Sequence, residues 1–242
     1  MDANIEKMND SLMTERLQFL ILIVISIVVL GFTTILYLND KEMFQRFIGR
    51  INPIISFLIV SVLGIVLFSF LLSQKWFVIY KSGNLSGMLY FTGLAALLGI
   101  VMIAVDTKIV FPADMNILFP HSLLFYPAIG FLVEILFHVL PLAVLLFILH
   151  GIFRNVNIEY LVWISIFIVA LLEPIYHSTN MFYSSRYPLW AVIYVGVHVF
   201  IINFVQLLLF RKYDFISMYS FRLAYYLFWH IGWGYLRLKL LF

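Results

Sequence analysis

The sequence predicts an all-α fold, a polytopic transmembrane helical bundle of about 7 to 8 spans. Three observations carry that expectation. Apolar residues make up 64% of the 242-residue chain, against roughly 45–50% in an ordinary soluble domain. Charged residues are 11%, less than half of the usual ~25%. The apolar residues also gather in runs long enough to cross a hydrocarbon core of ~30 Å, and mean hydropathy is +1.06. A polar N-terminal tail at 1–16 and a single transmembrane domain at 17–242 follow from the same pattern.

The first span is expected at 17–38. Its apolar run is longer than the ~7–15 residues of a signal-peptide core, so it reads as retained. The mixed-charge residues before it suit a short surface helix or a loose tail. A charged loop at 39–50 leads to the second span at 51–72, with Pro53 near its start, where proline is tolerated. The loop at 74–87 holds Trp76, Tyr80, Lys75 and Lys81, which are interfacial anchor types. The third span is expected at 88–105. The connector at 106–120 contains Pro112 and Pro120, and a half-helix at 107–122 would be the eighth segment. The fourth span is expected at 123–149, with a kink at Pro141. The fifth runs over 158–177, and Pro174 within it frees the carbonyl of Ala170. Such breaks persist at membrane depth where they line a cavity or pack against protein. The sixth span is 189–210, and the last is 216–241 with a cluster of aromatic residues. No repeat relates the two halves, which weighs against a carrier built from inverted repeats. Lys and Arg are balanced between the two sides, so charge sets no orientation.

Two stretches interrupt the apolar pattern. Glu134 precedes His138 by four residues in the fourth span, and Glu173 precedes His177 by four in the fifth. Four residues is one helical turn, so each pair shares a face. A carboxylate within a bilayer is costly and marks a functional site by default. Counting 1.5 Å per residue, Glu134, His138, Glu173, His177 and His230 of the last span reach similar depths. They are expected to line one cavity, open toward the side where the fifth span ends. Carboxylate with imidazole can activate water as a general base or hold a metal such as zinc. The metal set in question is Glu173, His177 and His230. HExxH is absent, and the Glu-x-x-His of di-iron bundles is one residue shorter than the spacing here. The plain alternative is that each Glu/His pair staples helices together.

Other polar residues read differently. His198, with Asn203 five residues on, suits a satisfied interhelical hydrogen bond. His121 and His150 lie at span ends and suit the interface. Arg222 is expected to snorkel or pair near the membrane surface. The net charge is only +3, and no basic stripe points to nucleic acid. The chain has no cysteine, so disulfides and thiolate ligands are excluded.

These residues resemble three motifs of the type II CAAX-prenyl-endopeptidase and bacteriocin-processing (CPBP) intramembrane proteases. The family pattern is E-E-x-x-x-R, F-x-x-x-H and H-x-x-x-N on three membrane helices. Val133-Glu134-Ile135-Leu136-Phe137-His138 resembles the first, Glu173-Pro174-Ile175-Tyr176-His177 the second, and His230-Ile231-Gly232-Trp233-Gly234 the third. The resemblance covers about 125–240. Glu134, His177 and His230 match in type. Val133 stands where the family has the Glu that activates water, His138 where it has Arg, Glu173 where it has Phe, and Gly234 where it has Asn.

The resemblance implies a membrane-embedded, glutamate- or metal-dependent peptidase, or a non-catalytic relative of the same fold, in a prokaryotic cell membrane. Glu173 or Glu134 with His177 would then activate water, free or bound to zinc. His230 would stabilise the oxyanion or act as third ligand, and His138 would orient Glu134. The partners would be membrane lipid and a peptide or membrane-protein segment. Two other classes stay open from the residues: a proton- or cation-coupled transporter using the two Glu, and a scaffold or immunity-type membrane protein.

Overall fold

The structure, a computed structural model, describes residues 2–83, 85–184 and 186–242, without the side chains of 2–14, 46 and 85–87. Helix α1 runs Asp2–Asn39, so the polar residues from Asp2 onward continue into the first span. Most side chains of that segment, and Met1 itself, lie outside the described residues. Helix α2 is Pro53–Ser73. Asn52 caps it, its Oδ1 accepting from Ile54 N–H at 2.9 Å, and Pro53 at the first position needs no partner for a missing N–H. Helix α3 is Leu85–Ile109, α4 is Ser122–Ile152, α5 is Ile158–Ser184 and α6 is Leu189–Lys212. A last helical stretch, α7, covers 215–241. Asp214 caps it by accepting from Ser217 N–H at 2.7 Å, and its other oxygen takes Lys81 N–H at 2.9 Å.

Among the described residues six helices, α1 to α6, are long and apolar enough to cross a membrane, which makes this an integral membrane protein. Their outward faces carry large apolar side chains such as Leu20, Ile59, Phe147 and Phe167, each more than half exposed, a face that suits lipid rather than water. The stretch α7 is not among the six. Arg222, His230, Arg237 and several tyrosines make it too polar by composition, and most of its first half is buried against α3, α4 and α6. The half-helix considered for 107–122 is a single turn of 3₁₀ helix at Ala113–Met115; the rest of the connector is irregular.

Three helices lose their regular turn where the sequence has proline or glycine. In α4 the segment Glu134–Val139 is a π-turn, with Leu140 N–H on Ile135 O. Pro141 has no N–H to give Phe137 O, and the wider turn relieves its ring from the preceding carbonyls. In α5 the helix breaks at Leu171, after Ala170, and resumes with Ile175 N–H on Leu171 O at 3.1 Å; this is where Pro174 removes a bond. A second π-turn, Leu227–Trp233, interrupts α7 ahead of Gly234. Both π-turns hold residues expected in the site.

Candidate functional site

Helices α4, α5, α6 and α7 meet around a buried charge cluster. Its centre is Arg222 on α7, 3% exposed. Nε–H donates to Glu134 Oε1 at 2.5 Å. Nη1 donates to Tyr226 Oη at 3.0 Å and to Glu173 Oε1 at 3.4 Å. Nη2 donates to Glu173 Oε2 and Gln206 Oε1, both at 3.1 Å. A guanidinium has five N–H donors, and here each has a partner. The expectation that Arg222 reaches the membrane surface is therefore corrected. Two carboxylates and a tyrosine inside the bundle compensate a desolvation that lipid-facing arginine would meet by snorkelling.

Glu134 is fully buried. Besides Arg222 it accepts from His138 Nδ1 at 2.8 Å and from Gln206 Nε2. The π-turn and Gly130 make this approach feasible. A Cβ at Gly130 would lie 3.2 Å from the Tyr226 ring and 3.6 Å from Arg222 Cδ, so a larger residue would push α7 off α4. Glu173 lies on the other side of the guanidinium. His177, one turn on, places Nε2 3.6 Å from Glu173 Oε1 and is 47% exposed. Two carboxylates stand against one guanidinium, and each carboxylate has an imidazole one turn away.

Next to the cluster is an inner cavity of about 210 Å³. Glu173, His177, His230 and Arg222 line it, with His198 and Asn203. Glu134 and His138 do not. The expectation of five residues around one cavity is thus met by three, and Glu134 and His138 sit behind Arg222, away from the open space. His230 Nδ1 is 2.9 Å from Asn116 Oδ1, and its ring stacks on Tyr126 at 4.6 Å. His198 bridges Tyr194 and Tyr225 hydroxyls, each at 3.3 Å, as an interhelical bond of the expected kind. His121 and His150 are exposed.

A second, outer cavity of about 350 Å³ adjoins the first. Met102, Met115, His177 and Val195 line both. Asp114, Arg186 and Tyr187 belong to the outer one alone. Partial burial pushes the Tyr187 hydroxyl above its usual pKa, so it stays protonated at neutral pH. By its lining residues the outer cavity sits beside the connectors at 110–121 and 186–188, on the side where α5 ends.

The zinc set does not fit. Among the described residues, no group of three or more His, Asp or Glu is arranged to hold a metal. Both oxygens of Glu173 face the Arg222 cation, which would repel a second cation. No step below uses a metal.

Several residues of the site were not singled out as such in the sequence. Arg222 and Tyr226 precede the expected His230 by eight and four residues, a one-face spacing that was legible. Asn116 lies on an irregular connector with no such signal. Asp106, at the end of α3, also proves fully buried. It pairs with Arg237 at 2.8 and 3.1 Å and accepts from Trp233 Nε1 at 2.6 Å and Phe111 N–H at 2.8 Å. Arg237 in turn holds the carbonyls of Phe111 and Pro112. This clamp ties the connector to α7 and so sets the position of Asn116. Compared with protein-family models, curated proteins and solved structures, the chain matches none. The fold and the site define a helical integral membrane protein with a buried Glu–Arg–Glu cluster beside a cavity.

Proposed function

We propose that this protein is a membrane-embedded peptidase-like enzyme of the CPBP kind, with its site residues relocated. The observation that carries the reading is that Glu173, His177 and His230 line one buried cavity. Glu173, with His177 beside it, takes a proton from water as the water attacks a peptide carbonyl, and returns it to the leaving amine. His230, when protonated, donates Nε2–H to the developing oxyanion, while Asn116 Oδ1 holds its Nδ1–H. Arg222 aims the Glu173 carboxylate. Glu134, His138 and Gln206 hold Arg222.

Three departures from the family motifs have counterparts in space. Glu173 supplies the carboxylate missing at Val133. Arg222 supplies the guanidinium missing at His138. Asn116 supplies the amide missing at Gly234: its Nδ2 lies 3.0 Å from where a Cβ at 234 would sit. The same reading takes 215–241 as a seventh span, its first half sheltered from lipid by α3, α4 and α6, and places the protein in a prokaryotic cell membrane.

The test uses protein reconstituted in liposomes, a farnesylated CAAX-type fluorogenic peptide and an internally quenched peptide library. Cleavage should fall at least ~100-fold in Glu173→Gln and His177→Ala, with unchanged thermal unfolding. Retained cleavage in both variants would sink the assignment. A second reading rests on the saturation of Arg222, whose donors are all used in holding helices together. In it the protein is a non-catalytic scaffold of the same fold, and wild-type protein cleaves none of the probes.

A further inference from the structure

The two cavities are consecutive rather than separate. Four residues line both, and the side chains that belong to one alone sort by position: Asp114, Arg186 and Tyr187 outside, His230, Asn203 and Arg222 inside. His177 stands at the junction, half exposed, beside Val195 of α6. The walls are otherwise mostly Met, Val, Ile and aromatic residues. We propose that the inner cavity is filled through the outer one, by an extended apolar peptide segment entering from the membrane surface where α5 ends. The proposal rests on the cavity being a substrate site.

The polar groups along the route argue for peptide over an acyl chain. They recur from Asp114 and Arg186 in the outer cavity, through His177 at the junction, to Glu173 and Asn203 in the inner one. Asn203 is fully buried, and neither its Nδ2 nor its Oδ1 has a partner. A polymethylene tail would leave such groups unpaired, each at a cost. A peptide brings an N–H and a C=O at every residue, each ~3.3–3.6 Å of extended chain, with apolar side chains for the walls. Asn203 has one of each to satisfy.

The chain has no cysteine, so a single introduced cysteine reports alone. Val199 lines only the inner cavity and Met181 only the outer. Val199→Cys, in oriented proteoliposomes, is treated with a small membrane-impermeant thiol reagent. It should label only from the face that labels Arg186→Cys. Ile166→Cys, which is fully buried elsewhere, should stay unlabelled. Adding Val195→Trp at the junction, or Met181→Trp on the outer wall, should slow Val199→Cys labelling at least tenfold. Acetyl-Val-Ala-Val-Ala-Val-amide should protect it, and decanoate should not.

Labelling that ignores both tryptophans would overturn the route in favour of lateral access from lipid. Protection by decanoate and not by the peptide would overturn the ligand class, and an unreactive Val199→Cys would overturn both. Cleavage is never read, so loss of the peptidase mechanism and loss of this route are separate results.

Discussion

Arg222 holds two carboxylates in a place where neither could stand alone. Removing one partner of a buried charge group leaves the others uncompensated, at a cost of ~3–5 kcal/mol, whereas replacing the whole group by apolar residues is often neutral. Arg222→Met should therefore lower stability by ~3–5 kcal/mol in denaturant titrations. The triple variant Glu134→Leu, Glu173→Leu, Arg222→Met should recover most of that loss and still lack cleavage. A triple variant that keeps activity would identify the cluster as a staple only. At Asn116 the prediction concerns position. Asn116→Gly removes the partner of His230, and Gly234→Asn pushes a side chain into space that Asn116 occupies. Each alone should cost ~1 kcal/mol or more. The two together should couple favourably, with the His230 ¹⁵N spectrum returning to an Nδ1–H form. Additive losses would separate Asn116 from the role assigned to a 234 side chain.

At the scale of elements, proline and glycine decide where helices break, and the breaks fall at the site. Pro141 and Pro174 were legible as disturbances of α4 and α5. What each disturbance became was not, because a π-turn and a helix break answer the same missing N–H in different surroundings. The connector after α3 is ordered by Asp106 and Arg237 rather than by any regular structure. Asp106→Asn weakens the hold on Arg237 and on Phe111 N–H. Hydrogen exchange should then speed at 110–117 at least tenfold while α2 and α6 keep their protection. Unchanged exchange at those residues would show that the connector is ordered without the clamp.

For the whole molecule, the open question of span number has a simple readout. With α7 as a seventh span the two ends of the chain lie on opposite faces of the membrane. Reporters fused before Met1 and after Phe242 should then give opposite signals in a phosphatase and fluorescent-protein pair. Equal signals would make α7 a helix that enters and stays on one side. Composition argues for six, and the burial of the first half of α7 for seven, since a stretch covered by α3, α4 and α6 needs less apolarity than one facing lipid.

The sequence by itself determined the helical membrane class, the ends of five of the six apolar helices to within a few residues (the fifth helix runs on past the expected 177 to Ser184), and the presence of Glu134, His138, Glu173, His177 and His230 in apolar surroundings. Those are local properties, written in hydropathy and in the 3.6-residue period. Only the tertiary structure decided that Arg222 turns inward, that Glu134 and His138 are walled off while Glu173 and His177 stay open, and that Asn116 and Asp106 belong to the arrangement. Which charge meets which is set by partners far apart in the chain (Arg222 lies 88 residues from Glu134). In a medium without water a polar group must find its partner within the protein, and only the packing of helices determines which partner is in reach.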